Sequence, residues 1–184
     1  MLFQYETPRL RLRITEPYDA DMVLDFFMRD KELFERYEAD RVPNFYTVEH
    51  QEKLLRAEYQ LALHMQCIRF YITLKDDPSK IIGTMCLRNI QRPLYGSCEI
   101  GYKFSSAFHH KGYATEALRK VCEIAVKELG LHRINAWVHP QNTDSMKLLE
   151  RNGFYEEGLC KEYLMLHGQW TDHIQYVYLN SFNQ

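Results

Sequence analysis

The sequence predicts an α/β (α+β) fold, a single domain built on a mixed, mostly antiparallel sheet flanked by helices. Three observations carry this expectation. Short stretches with apolar residues at every second position recur along the chain, as half-buried strands require. One long stretch from Ala114 to Leu129 repeats apolar residues at helical spacing. The two periodicities interleave as strand, two helices, three strands, helix, strand, helix and terminal hairpin, which describes helices covering a sheet. The 184 residues suit one domain over 1–184, with no repeat, low-complexity tract or Gly/Ser-rich linker. A chain of this size buries roughly 70% of its unfolded surface and needs no disulfide or metal staple.

Each element has its own signature. Leu10-Arg11-Leu12-Arg13-Ile14 alternates apolar and basic residues and reads as the first strand. Glu16-Pro17 opens a helical stretch to about Arg29, packed through Met22, Leu24, Phe26 and Phe27. Thr47 is placed to cap a second helix running to about Gln66, with Leu55, Tyr59 and Ala62 on one stripe. Residues 68–74 and 81–87 flank Asp76-Asp77-Pro78-Ser79 and read as a hairpin. In the strand 98–104, Cys98, Ile100, Tyr102 and Phe104 share one face, and Glu99, Gly101 and Lys103 the other. The helix from Ala114 carries Ala117, Leu118, Val121 and Ala125 inward, and Gly130 stands where a left-handed cap belongs. A strand over 133–139 follows, then a short helix over 142–152 ended by Gly153. Two final runs, 154–166 and 170–179, flank His167-Gly168-Gln169 as a hairpin.

Composition excludes several classes. The net charge of −2 lacks the basic excess of a generic nucleic-acid binder, and no apolar run approaches a membrane span. The five cysteines, Cys67, Cys86, Cys98, Cys122 and Cys160, are widely spaced without any C-x-x-C, so free thiols in a reducing cytoplasm are expected rather than a zinc site. The amino-terminal residues have no apolar signal segment, and a cytoplasmic location is the default. The adjacent His109 and His110 lack an evident third ligand, so no metal is expected there. Trp137 and Trp170 read as packing residues.

Charge is unevenly distributed. Residues 16–58 hold twelve acidic and six basic side chains, a net −6, whereas residues 80–120 hold seven basic and two acidic, a net +5. Two solvated faces would explain such runs. The positive stretch, however, contains His109-His110-Lys111-Gly112-Tyr113-Ala114 at the start of the strongest helix. A loop entering a helix N-terminus offers unpaired N–H groups and the positive end of the helix dipole, and Gly112 lets the backbone approach a phosphate closely. Neither a G-x-x-x-x-G-K-[ST] nor a G-x-G-x-x-G motif is present.

From Thr7-Pro8-Arg9-Leu10-Arg11-Leu12-Arg13 to about Leu179, the chain resembles the GNAT superfamily of N-acetyltransferases, and within it the ribosomal-protein N-acetyltransferases of the RimJ/RimL type. The likeness is densest in Glu99-Ile100-Gly101-Tyr102, Lys111-Gly112-Tyr113-Ala114-Thr115-Glu116-Ala117-Leu118 and Leu131-His132-Arg133-Ile134. It continues through Asn142-Thr143-Asp144-Ser145, Gly153-Phe154, Glu157-Gly158 and His167-Gly168-Gln169-Trp170-Thr171-Asp172.

The resemblance implies a GNAT-like fold and acetyl-CoA as cosubstrate, without a metal. It places His109, His110, Lys111, Gly112, Tyr113, Ala114 and Thr115 around the cofactor's pyrophosphate. Tyr102, Lys103 and Phe104 fall on the strand whose backbone pairs with the pantetheine arm, and Asn142 matches a cofactor contact. Two departures stand out. His109 replaces the usual Gln or Arg, with His110 where Gly is common, so binding through main-chain groups should survive with altered affinity. The Tyr that protonates the leaving thiolate in many members corresponds to Leu149, which cannot donate, and Ser145 is the substitute candidate.

The reaction implied is direct attack by an amine in a ternary complex, without an acyl-enzyme. Glu99 is the first candidate to take the proton, directly or through water, although the same carboxylate could simply be bonded to nearby backbone or an Arg. Ser145 could equally belong to the first turn of its helix, and Asn142 could be its N-cap. An α-amine has a pKa near 7.8 against 10.4 for Lys, roughly 3.5 kcal/mol less deprotonation work, so a site without a strong base suits protein N-termini. The acceptor is therefore expected to be an amine, the N-terminus of a ribosomal protein or else a polyamine, amino-sugar or other small amine. A CoA-binding module without catalysis is the alternative of a different class. The acidic segment 16–58 is expected to form part of the acceptor wall, and the chain to act as a monomer or homodimer with neither nucleic acid nor membrane as partner.

Overall fold

The computed structural model describes residues 1–180. Eight strands form one sheet in the order β1-β2-β3-β4-β5-β6-β8-β7. They are β1 (Gln4–Glu6), β2 (Leu10–Arg13), β3 (Ile68–Leu74), β4 (Ile81–Gln91), β5 (Ser97–Phe104), β6 (Arg133–Val138), β7 (Tyr155–Leu166) and β8 (Gln169–Leu179). Every neighbouring pair is antiparallel except β5 and β6. The helices are α1 (Ala20–Arg29), α2 (Lys31–Glu35), α3 (Val48–Leu63), α4 (Tyr113–Lys127) and α5 (Thr143–Glu150). No helix among the described residues is long and apolar enough to cross a membrane.

The sheet has a core on each face. On one face, alternate residues of β5 and β6 (Cys98, Ile100, Ile134, Ala136) meet Ala117, Leu118, Val121, Ile124 and Ala125 of α4 and Leu148 and Leu149 of α5. On the other, Phe26, Phe27, Phe34, Phe45 and Leu55 from α1, α2, α3 and their connections pack on Tyr71 and Ile81. The apolar stripe of α4 is why that helix forms and stays: it is amphipathic, and its Gly130 adopts φ +66° as the left-handed cap the sequence predicts. Thr47 caps α3 as expected, its hydroxyl accepting from His50 N at 3.3 Å.

Several boundaries differ from expectation for local reasons. β1 is an added edge strand of only three residues, held by pairing with β2 and by the buried Tyr5. The expected helix 16–29 is divided into a 3₁₀ turn at Pro17–Asp19 and α1, and α2 follows unannounced. Asp30 separates α1 from α2 because its carboxylate accepts from Ser105 Oγ at 2.5 Å and Ser106 N at 3.2 Å. α3 stops at Leu63 rather than near Gln66, since Met65 turns to φ +53°. β4 runs past Leu87 to Gln91, with an irregular register where Asn89 takes φ +50°. The final hairpin closes through His167 and Gly168, both at positive φ, the geometry a two-residue turn demands.

Candidate active site

The parallel pairing of β5 with β6 is short. It covers Ser97–Arg133, Cys98–Ile134 and Glu99–Asn135 and then stops. Beyond it β6 stays with β8, while residues 100–104 of β5 stay with β4. The sheet therefore splits into a notch, and one backbone edge of β5 from Ile100 to Phe104 has no strand partner among the described residues. Unpaired peptide groups along such an edge can bond an extended ligand. At Gly101 an added Cβ would meet nothing within 4 Å, so space opens beside this edge.

Loop 109–112 follows directly. His109 Nε2 is 2.9 Å from Phe104 O and pins the loop to the end of β5. His110 adopts φ +58° and Gly112 φ +80°, and Gly112 is the N-cap of α4. The N–H groups of Gly112, Tyr113, Ala114 and Thr115 have no intrahelical acceptor, and the dipole of α4 adds positive potential at the same place. This is an anion cradle made of main chain.

Two residues that sequence reasoning did not single out hold the cradle from behind. Arg9 donates from Nη1 to Lys111 O at 2.9 Å and from Nε to Glu116 Oε2 at 2.7 Å, and lies 4.5 Å over the Tyr113 ring. Glu116 Oε1 also accepts from Thr7 Oγ1 at 2.6 Å and Arg9 N at 2.9 Å. Burial raises the Glu116 pKa, but the bonds from Thr7 and Arg9 outweigh it and hold the group below its ordinary value. Arg9 and Glu116 are separated by 107 residues, so only their place within runs 7–13 and 111–118, which carry the family resemblance, hinted at a joint role.

Opposite the loop, the start of α5 faces β5. Asn142 is the N-cap, its side chain accepting from Ser145 N at 3.2 Å. Ser145 Oγ lies 2.8 Å from the Tyr102 hydroxyl. Burial raises the Tyr102 pKa, so the phenol keeps its proton at neutral pH. Leu149 is fully buried in the core beneath this pair. Tyr102 therefore contributes a side chain as well as backbone to the notch.

The other face of β5 carries Glu99 and Lys103. Glu99 accepts from Arg88 Nε at 3.1 Å and Asn89 Nδ2 at 2.9 Å. Lys103 shares the β5 backbone with the notch, but its ammonium turns away from the loop to pair with Glu38, 5.2 Å from the Phe27 ring centroid. Burial brings Lys103 well below the ordinary lysine value. Beside Glu99, Trp137 stacks on Tyr163 with centroids 4.2 Å apart and His173 packs against Tyr163 and His139. Trp137 is thus a packing residue as expected, whereas Trp170 is 60% exposed on the terminal hairpin.

The charge pattern needs correction in detail. Segment 16–58 meets the Lys103 side chain through Glu38, Phe27 and Phe34, but many of its carboxylates are occupied: Asp19 by Arg13, Glu38 by Lys103 and Arg41, and Glu58 by Arg69. In the basic stretch, Arg88 and Lys103 serve this same face, which leaves Lys111 as the lysine on the loop itself. No group of three or more His, Cys, Asp or Glu is placed to hold a metal ion among the described residues.

Comparison with known proteins shows the family and the fold. The family model described as "Acetyltransferase (GNAT) domain" matches residues 9–155. The protein named "Probable N-acetyltransferase YjcK" of Bacillus subtilis is 36% identical over 169 residues, 92% of this chain and 93% of its own. The [Ribosomal protein uS5]-alanine N-acetyltransferase of Escherichia coli is 32% identical over 91% of this chain and 86% of its own. The crystal structure of the ribosomal-protein-S5-alanine acetyltransferase of Vibrio fischeri superposes with a TM-score of 0.91 at 30% identity, covering 98% of both chains. Mycobacterium smegmatis RimJ in complex with CoA-disulfide superposes at 0.87 with 28% identity, covering 95% of this chain and 84% of its own.

Proposed function

Starting from the chain's membership of the GNAT acetyltransferase family, and hence its activity as an acetyl-CoA-dependent N-acetyltransferase, we propose that it acetylates the α-amine of a protein N-terminus. We read residues 1–184 as one such domain acting in the cytoplasm. The observation that carries the acceptor class is the state of Glu99. Both its oxygens are already engaged, by Arg88 and Asn89, so the site offers no free carboxylate, which suits an amine that is partly neutral at pH 7. The printed names of relatives that act on the alanine of ribosomal protein S5 support the same reading.

Bound acetyl-CoA supplies the thioester that the amine attacks. The N–H groups of His110, Lys111, Gly112, Tyr113, Ala114 and Thr115 hold its phosphates; His109, expected among them, gives its N–H to Ser106 O at 3.1 Å and serves by pinning the loop through its ring. The open backbone edge through Tyr102, Lys103 and Phe104 aligns the pantetheine arm and polarises the carbonyl. Lys103 serves here through its backbone alone. Asn142 contacts the cofactor while capping α5. Glu99 draws the acceptor amine and takes its proton, directly or through water. Ser145, hydrogen-bonded to the neutral phenol of Tyr102, gives a proton to the departing sulfur, a task that the buried Leu149 cannot perform.

The test is thiol release from acetyl-CoA with peptides beginning in Ala or Ser, compared with polyamines and amino sugars. Turnover concentrated on the peptides is expected. Turnover on small amines alone would overturn the acceptor assignment, and binding without turnover on any amine would leave a CoA-binding module.

A further inference from the structure

Two of the five cysteines meet on the acceptor face. Cys67 Sγ and Cys86 Sγ are 3.4 Å apart, and both are free thiols. The other three make no such contact among the described residues, and burial pushes Cys98 and Cys122 up to about 12, as expected of inert core thiols. The pair differs in access. Cys67 is partly exposed in the four-residue connection between α3 and β3, next to a left-handed turn at Met65, whereas Cys86 lies within β4 and is 4% exposed.

The register fixes what surrounds them. Cys86 pairs with Arg69 on one side and Gly101 on the other, and two residues further along β4 Arg88 pairs with Glu99. Ile68 faces Leu87, so the next position puts Cys67 alongside Arg88. The dithiol therefore sits beside the guanidinium that holds Glu99. The shared hydrogen bond pushes Cys67 up and, with the charge of Arg69, brings Cys86 down against the effect of burial, so the pair holds its thiolate on Cys86 with Cys67 as its protonated partner.

We propose that Cys67 and Cys86 form an oxidation site, converted by a low-molecular-weight disulfide into an intramolecular disulfide that displaces Arg88 and so weakens catalysis. As Cys67 passes its proton across the hydrogen bond to Cys86, its sulfur attacks one sulfur of the small disulfide, forming a mixed disulfide and releasing the first small thiolate, which takes that proton. The Cys86 thiolate then attacks Cys67 Sγ, the protein disulfide forms, and the second small thiolate leaves. The two cysteine protons end on the two small thiols; the protein loses two electrons and the reagent gains them. Closing the bond to about 2.05 Å needs the sulfurs to approach by about 1.3 Å, and the irregular connection carrying Cys67 can move where strand β4 cannot. That movement draws the connection across Arg88 and disturbs its hold on Glu99, while loop 109–115 is untouched.

The effect on turnover rests on the role given to Glu99 under the proposed function; the disulfide itself does not. The whole chain is incubated with oxidised glutathione, alkylated and weighed, then assayed with acetyl-CoA and an Ala-initiated peptide. Two fewer alkylated thiols and a linked Cys67–Cys86 peptide are expected. Turnover should fall about tenfold or more, the scale of a small misplacement at a reacting site, with acetyl-CoA affinity by calorimetry unchanged and recovery under dithiothreitol. Cys67→Ser should remain active and resist the oxidant. A protein that stays fully alkylatable, or carries glutathione on Cys67 alone, overturns the site. A disulfide with undiminished turnover overturns its control of catalysis. If no amine turns over, the mass readout still decides the thiol pair, and the failure counts against the acceptor reading.

Discussion

The two sides of the notch are held together by different chemistry. On the proposed cofactor side, loop 109–115 presents main-chain N–H groups, and the side chains that shape it, Arg9 and Glu116, work from behind. On the proposed acceptor side, side chains stand in pairs: Glu99 with Arg88, Lys103 with Glu38. A main-chain site tolerates changes of side chain as long as φ and ψ are kept, which is why His109 and His110 can replace the residues usual in the family. A site of paired charges tolerates little, because removing one partner leaves the other without compensation.

The largest effect should come from breaking the backbone rule itself. Gly112→Val puts a β-branched residue at φ +80°, with its Cβ 3.3 Å from Arg9 Nη2. Strain of roughly 1–3 kcal/mol, with loss of close approach, should weaken acetyl-CoA binding by about a hundredfold in calorimetry. His110→Ala should change it far less. If both variants bind alike, the main-chain account of the loop is wrong.

The acceptor side should respond in the rate instead. Glu99→Gln is expected to lower kcat by about ten- to a hundredfold while acetyl-CoA affinity stays put, and Ser145→Ala to lower it by a smaller factor. A Glu99→Gln variant with full kcat would reduce this carboxylate to a partner of Arg88. Arg9→Ala separates the two sides again. It removes the support for Lys111 O and Glu116, mostly in solvent, so ~1 kcal/mol and about a fivefold rise in the KM for acetyl-CoA are expected with kcat unchanged.

The smallest effect concerns the tip of the β7–β8 hairpin, where His167 Nδ1 meets Asp40 at 2.7 Å and Nε2 faces Glu35 O at 3.2 Å. The hydrogen bond to Asp40 raises the His167 pKa above 6.5. A group raised on folding stabilises fully below its unfolded pKa and loses that contribution as pH rises through the folded value. Amide protection around 166–169 should therefore decline as pH climbs from below 6.5 through the raised value, and Asp40→Asn should flatten the profile. A decline in the opposite direction would refute the pairing.

Much of this architecture is legible along the chain. Thr47 announces the start of α3, Gly130 the end of α4, and His167-Gly168 the last hairpin, because caps and turns are decided within a few residues. The anion loop is readable for the same reason: Gly112 and the first turn of α4 are neighbours in sequence. The break at Asp30 between α1 and α2 is not, since the serines that capture its carboxylate lie about 75 residues away.

The sequence by itself determined the alternation of strands and helices, the left-handed cap at Gly130, the cap at Asn142 and the faces of β5. Tertiary structure alone decided which charges meet. It sends Lys103 to Glu38 rather than to the loop, joins Arg9 to Glu116, and sets Tyr102 against Ser145 and Cys67 against Cys86. The physical reason is range. Periodicity, caps and turns arise from contacts a few residues apart, whereas these pairs depend on the register of distant strands and on where β5 and β6 part.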